Sequence, residues 1–136
     1  MDWSTCKIKR LVKEIVRDDN LITSLINTSQ KKLKSQKLLE LNDDTASSKI
    51  TLVYDALREL LEALAISNNY KIYNHECYTA FLKEILQESL LGDKFNDFRK
   101  IRNAINYYGK DLTKEEAKPL ISEMLEFLEI VQKKLS

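Results

Sequence analysis

Phe95-Asn96-Asp97-Phe98-Arg99-Lys100-Ile101-Arg102-Asn103-Ala104-Ile105-Asn106-Tyr107-Tyr108-Gly109 reads as one helix closed by a glycine. Phe98, Ile101, Ile105 and Tyr108 recur at i, i+3, i+7 and i+10, which puts them on a single apolar stripe. Arg99, Arg102 and Asn106 run along the edge of that stripe, and Tyr107 points away from it. An arginine half inside a core and followed by two asparagines is costly unless it has partners. Asn103 and Asn106 are poor helix formers, so helix propensity did not select them. Arg102 therefore has two readings. It is a two-pronged contact to phosphoryl oxygens, or an arginine that snorkels or pairs at the core edge.

The rest of the chain supports a helical setting for this stretch. Two glycines and one proline in 136 residues leave little material for tight turns, which favours an all-α fold. One domain is expected over 1–136. The net charge is +1, so any case for nucleic acid rests on a local patch and not on the global balance. Cys6 and Cys77 lack CxxC spacing, and one histidine accompanies them. That argues against zinc and for reduced, buried thiols, with no cofactor expected. No apolar run approaches the ~18 residues of a membrane helix, and no signal-peptide core is present, so a cytoplasmic protein that avoids membranes is expected.

Periodicity predicts helices over about 3–18, 20–40, 47–67, 75–90, 93–109 and 113–135. The first carries Ile8, Leu11, Val12, Ile15 and Val16 as its stripe. The second has a lysine-rich middle with Lys31, Lys32, Lys34 and Lys37, read as a solvated face or a phosphate-facing patch. The third is apolar over so wide an arc that it must be touched on more than one side. Residues 70–74 read as a short link. Gly92 reads as a C-cap and Asp93 as the cap of the next helix. Thr113-Lys114-Glu115-Glu116 reads as a capping box, with Pro119 signalling a kink or a late start. The sum is an up-and-down antiparallel bundle of five to six helices joined by short loops.

His75 is the one side chain with a neutral-range pKa. It reads as a general base or as a helix-start residue with a local hydrogen bond. No nucleotide loop, serine–histidine–acid order or paired-carboxylate spacing is present.

From Arg102 to Gly109 the chain resembles a HEPN domain (higher eukaryotes and prokaryotes nucleotide-binding). That family carries an arginine, often followed by a polar residue, and a histidine after four to six intervening residues, late in a penultimate long helix of an α-helical bundle. The resemblance places Arg102 at the motif arginine and Asn103 at the polar residue. It implies a homodimer whose motif helices face one another. It also implies binding of RNA or a nucleotide, metal-independent endoribonuclease activity in many members, and toxin–antitoxin pairing with a minimal nucleotidyltransferase in some. Here the histidine position is Tyr107, Tyr108 or Gly109 according to the spacing used. Tyrosine, with an unperturbed pKa of about 10, is a poor base for the 2′-hydroxyl of RNA. The expectation is therefore a binding cleft built from Arg99, Arg102, Asn103, Asn106 and Tyr107, with weak or no cleavage. The alternatives are a toxin-like endoribonuclease using Arg102 with His75 or Tyr107, and a protein-interaction module.

Overall fold

In chain order, the computed structural model, which describes residues 1–136, contains α1 (Trp3–Ile8), β1 (Val12–Glu14), α2 (Asp19–Leu38), α3 (Ala46–Ser67), β2 (Tyr70–Ile72), α4 (Glu76–Ala80), α5 (Ser89–Tyr107) and α6 (Lys114–Leu135). A single π-turn over Phe81–Ile85 prolongs α4. The long helices make the all-α bundle that the periodicity predicts. No helix is long and apolar enough to cross a membrane.

α3 is the centre. Ile50, Val53, Tyr54, Leu57, Leu60, Leu61 and Leu64 are all buried, and both α2 and α6 pack against it. Its one buried carboxylate, Glu59, is held by the Lys32 ammonium and the Thr28 hydroxyl of α2, so one lysine of the polar middle of α2 serves the core. An aromatic chain ties the remaining helices to α3. Tyr54 stacks on Phe95 at 5.8 Å between ring centroids, Phe95 meets Tyr78 at 5.9 Å, and Phe98 meets Phe127 edge-on at 5.7 Å. Pairs of this kind add to the area they bury. The capping box forms as the sequence predicts: Thr113 Oγ1 accepts from the Glu116 amide and Glu116 returns a carboxylate to the Thr113 amide. α6 starts at Lys114 and runs through Pro119 without a late start.

The structure corrects the sequence reading at three places. The predicted helix over 3–18 stops at Ile8, where Arg10 turns the chain with φ +58°. Val12–Glu14 then pairs antiparallel with Tyr70–Ile72, the stretch read as a link. Val12, Ile15 and Val16 are β-branched and have low helix propensity, so tertiary pairing prevails over the 3.6-residue pattern. Ile8 and Val16, assigned to the stripe, are 78% and 89% exposed.

The second correction concerns the cysteines. Cys6 and Cys77 are joined in a disulfide between α1 and α4, with Cα atoms 6.1 Å apart. They are not reduced thiols. Wide sequence spacing hid the pairing, which the β1–β2 ladder brings about by returning α1 to the start of α4.

The third correction is at Gly92. It is buried inside α5, and the preceding helix ends earlier, with Gln87 at φ +56° providing the break. Asp93 is therefore within a helix and pairs with Lys83 at 2.5 Å. Gly92 is required for close approach: a Cβ there would lie 2.5 Å from Lys83 Cγ and 3.2 Å from the Thr79 carbonyl oxygen. Gly92→Ala is expected to destabilise by about 1–3 kcal/mol through overpacking, although alanine is the better helix former. A urea midpoint equal to or above that of the parent would contradict the close approach.

Candidate anion-binding site

The C-terminal half of α5 lies beside the start of α4, and an open cleft of about 430 Å³ separates them. α5 contributes Arg99, Arg102, Asn103 and Tyr107; the segment leading into α4 contributes Tyr73, Asn74, His75 and Glu76. Each side chain is placed by ordinary local physics. The core residues Phe95 and Phe98 fix the rotation of α5, so Arg99 and Arg102 fall half-buried at the edge of the stripe. Gly109, at φ +68°, ends the helix, and the Lys110 amide donates to the Ala104 carbonyl at 3.0 Å. The Asn74 carboxamide accepts from the Glu76 amide at 2.8 Å, a local turn that sets the approach to α4.

Arg102 is sandwiched. Its guanidinium carbon lies 5.4 Å from the Tyr54 ring centroid and 5.7 Å from that of Tyr107, within the range of cation–π attraction. Its polar bonds within the chain are few: Nη1 reaches Asn103 Oδ1 at 3.4 Å, and Nε is buried without a partner. Arg99 is similar, with Nη2 donating to Asn96 Oδ1 at 2.9 Å and Nε buried and unpaired. Neither arginine takes part in any ion pair of the molecule. Arg58 on α3, which also influences the site, does have an acidic partner in Glu62 at 3.9 Å.

His75 lines the same cleft as Arg102. Its Nδ1 lies 3.0 Å from the Tyr54 hydroxyl. Burial lowers the imidazole pKa to about 4, and Arg58, Arg102 and Arg99 push in the same direction. Burial also raises the Tyr54 pKa, so Tyr54 remains a phenol at neutral pH. If the phenol donates to Nδ1, Nε2 carries the proton and can donate to an anion. If Nδ1–H donates to the phenol oxygen, Nε2 presents a lone pair. Tyr54 falls within the wide apolar arc of α3 and is buried there, which conceals this role in the sequence.

The depressed pKa has a stability consequence. Between pH 6.5 and about 4 the unfolded histidine holds a proton that folded His75 does not. The unfolded state then binds more protons, so stability is full above pH 6.5 and falls as pH drops through that window. His75→Asn is expected to remove this component. The difference in denaturation midpoint between parent and variant should change between pH 7 and pH 5; a constant difference would contradict a neutral, partly buried imidazole.

Of the residues singled out from sequence, Arg99, Arg102, Asn103, Tyr107 and His75 converge. Asn106 does not line the cleft and is exposed. Tyr108, assigned to the apolar stripe, is 83% exposed: it is the cap residue, and its departure from helical geometry swings it off the stripe. The chain matches no family model, no curated protein and no solved structure.

Proposed function

We propose that the cleft between α4 and α5 binds the phosphate groups of RNA or of a nucleotide, in the manner of a HEPN-type domain. One observation supports this most strongly. Two adjacent guanidinium groups, Arg99 and Arg102, face an open cleft with buried Nε atoms unpaired and no carboxylate partner. The one carboxylate of the cleft, Glu76, is taken by the N-terminal ammonium at 3.6 Å, and two like charges lining one cleft without an ion pair are unfavourable in the free protein. A phosphate supplies both the missing charge and acceptors that suit the planar guanidinium fork. Tyr73 and Tyr107, 59% and 68% exposed at the cleft, offer faces on which a base can stack. In the proposed homodimer, whose motif helices face one another, the exposed Tyr107 and Tyr108 at the end of α5 are candidate contacts.

A second reading, metal-independent cleavage of RNA, gains support from the position of His75 in the same cleft as Arg102. With Nδ1–H donated to Tyr54, Nε2 would accept the 2′-hydroxyl proton as that oxygen bonds to phosphorus. The P–O5′ bond would break to leave a 2′,3′-cyclic phosphate, and the imidazolium would return the proton to the departing 5′-oxygen, with Arg102 holding the phosphoryl oxygens. One titration separates the two. Labelled single-stranded RNA is incubated with the protein in the presence of a chelator and over a range of salt. Salt-sensitive binding without new fragments supports the binding module. Chelator-resistant fragments that disappear in both Arg102→Ala and His75→Asn support the nuclease. Neither binding nor cleavage by the dimer or the monomer refutes both.

A further inference from the structure

A second hollow, of about 370 Å³, lies where the end of α2, the start of α3 and the first half of α6 meet. It shares no residue with the arginine cleft. Two of its side chains are polar and buried. Gln36 is 4% exposed, and its Oε1 is without any hydrogen-bond partner. Lys49 is 7% exposed, and its ammonium donates to the carbonyls of Gln36 at 2.5 Å and Leu39 at 2.7 Å.

Capping accounts for part of this arrangement. The last carbonyls of a helix lack intrahelical donors and carry partial negative charge, so a lysine there is favourable. That role uses two of the three N–H donors of Lys49. It leaves the third donor and the whole Gln36 carboxamide unexplained. It also does not explain why Lys37 and Lys118 line the same hollow. None of these three lysines has an acidic partner anywhere in the molecule, and no acidic side chain lines the hollow. Ile121 and Leu125 of α6 provide an apolar wall.

We propose that this hollow is a binding site for an organic anion, with a phosphate or carboxylate head among the three ammonium groups and an apolar body against α6. The head takes the free donor of Lys49 and the charges of Lys37 and Lys118. The Gln36 carboxamide, which can rotate to present either N–H or oxygen, completes the polar end. The apolar wall distinguishes the ligand from a simple inorganic ion, and a hollow of this size suits a small molecule.

The test is a titration of the ¹⁵N-labelled full chain carrying Arg102→Ala, so that anion binding in the other cleft does not interfere. The probes are octyl phosphate, octanoate, inorganic phosphate and octanol. Octyl phosphate or octanoate is expected to shift the Gln36 side-chain amide and the Ser122 backbone amide saturably. The double variant Lys37→Ala/Lys118→Ala, altered at two exposed positions, should bind about fivefold more weakly, the scale of two partly screened charges. Inorganic phosphate should shift the same signals with lower affinity. Octanol moving them equally well, no saturable shift with either organic anion, or unchanged affinity in the double variant would each overturn the site. A failure here leaves the arginine cleft untouched, because that cleft is disabled throughout the experiment.

Discussion

Arg102→Ala is expected to weaken binding of a single-stranded RNA oligonucleotide by about 10- to 100-fold while leaving the fold intact. The magnitude is that of a charge-assisted hydrogen-bonded contact, about 1.5–3 kcal/mol. The stability result is as diagnostic as the affinity. An arginine that holds its own subunit together through a buried ion pair destabilises strongly when one partner is removed. Arg102 has no such pair. It lines one cleft with Arg99, so its removal relieves like-charge repulsion there and loses the contacts to Tyr54 and Tyr107 and the long hydrogen bond to Asn103. Those opposing effects are each about 1 kcal/mol. The denaturation midpoint should therefore stay close to that of the parent. Arg102→Lys keeps the charge and loses the planar fork, so it should recover only part of the affinity. A large loss of stability in Arg102→Ala, with RNA affinity unchanged, would return Arg102 to a structural role.

Removal of the disulfide is expected to have the largest effect on stability. Cys6 and Cys77 are 71 positions apart, and closing a loop of that length lowers the entropy of the unfolded chain enough to stabilise the fold by about 4 kcal/mol. Both cysteines are fully buried, and they attach α1 to α4. Without the bond, α1 is retained by the short β1–β2 ladder and by the core contacts of Trp3, whose ring meets Tyr70 at 5.0 Å and Phe81 at 6.1 Å. His75 lies two residues before Cys77. The same change should therefore loosen the α4 side of the cleft and weaken RNA binding as well. Guanidinium denaturation of the parent with and without reductant, beside Cys6→Ser/Cys77→Ser, measures the effect. Equal midpoints in oxidised and reduced protein would show that the bond contributes nothing to the fold.

The parts of this molecule that were legible in the sequence are those in which local pattern and tertiary environment agree. Phe98 and Ile101 follow a helical stripe because α5 has one core face, and the capping box at Thr113 is a short-range motif that needs no tertiary help. Val12 to Glu14 was not legible. Its apolar spacing fits a helix, and only the distant Tyr70–Ile72 segment provides the alternative ladder. Gly92 was misread because a glycine ending a helix and a glycine admitting a neighbouring side chain look alike without coordinates; Lys83 decides between them.

The candidate site divides the same way. The polar edge of α5 was visible as Arg99, Arg102 and Asn103, residues too costly to be there by chance. Asn106 satisfied the same argument and yet is exposed and outside the cleft lining, although it lies within α5 between the cleft residues Asn103 and Tyr107. His75 stood out as the only histidine, but nothing in the sequence placed it opposite Arg102. That meeting depends on the β2-to-α4 connection and on Tyr54, a core-patterned residue whose hydroxyl reaches the imidazole.

The proposed anion site is built on the guanidinium groups of Arg99 and Arg102, which have no ion pair and whose Nε atoms are unpaired. The most direct measurement is a ¹H–¹⁵N spectrum of the arginine Nε–H groups during titration with a single-stranded RNA oligonucleotide. The Nε–H signals of Arg99 and Arg102 should move saturably and together, in advance of that of Arg17, which is engaged by Asp19 at 2.6 Å on the surface. Movement of Arg17 and other surface arginines with Arg99 and Arg102 unchanged would contradict the account.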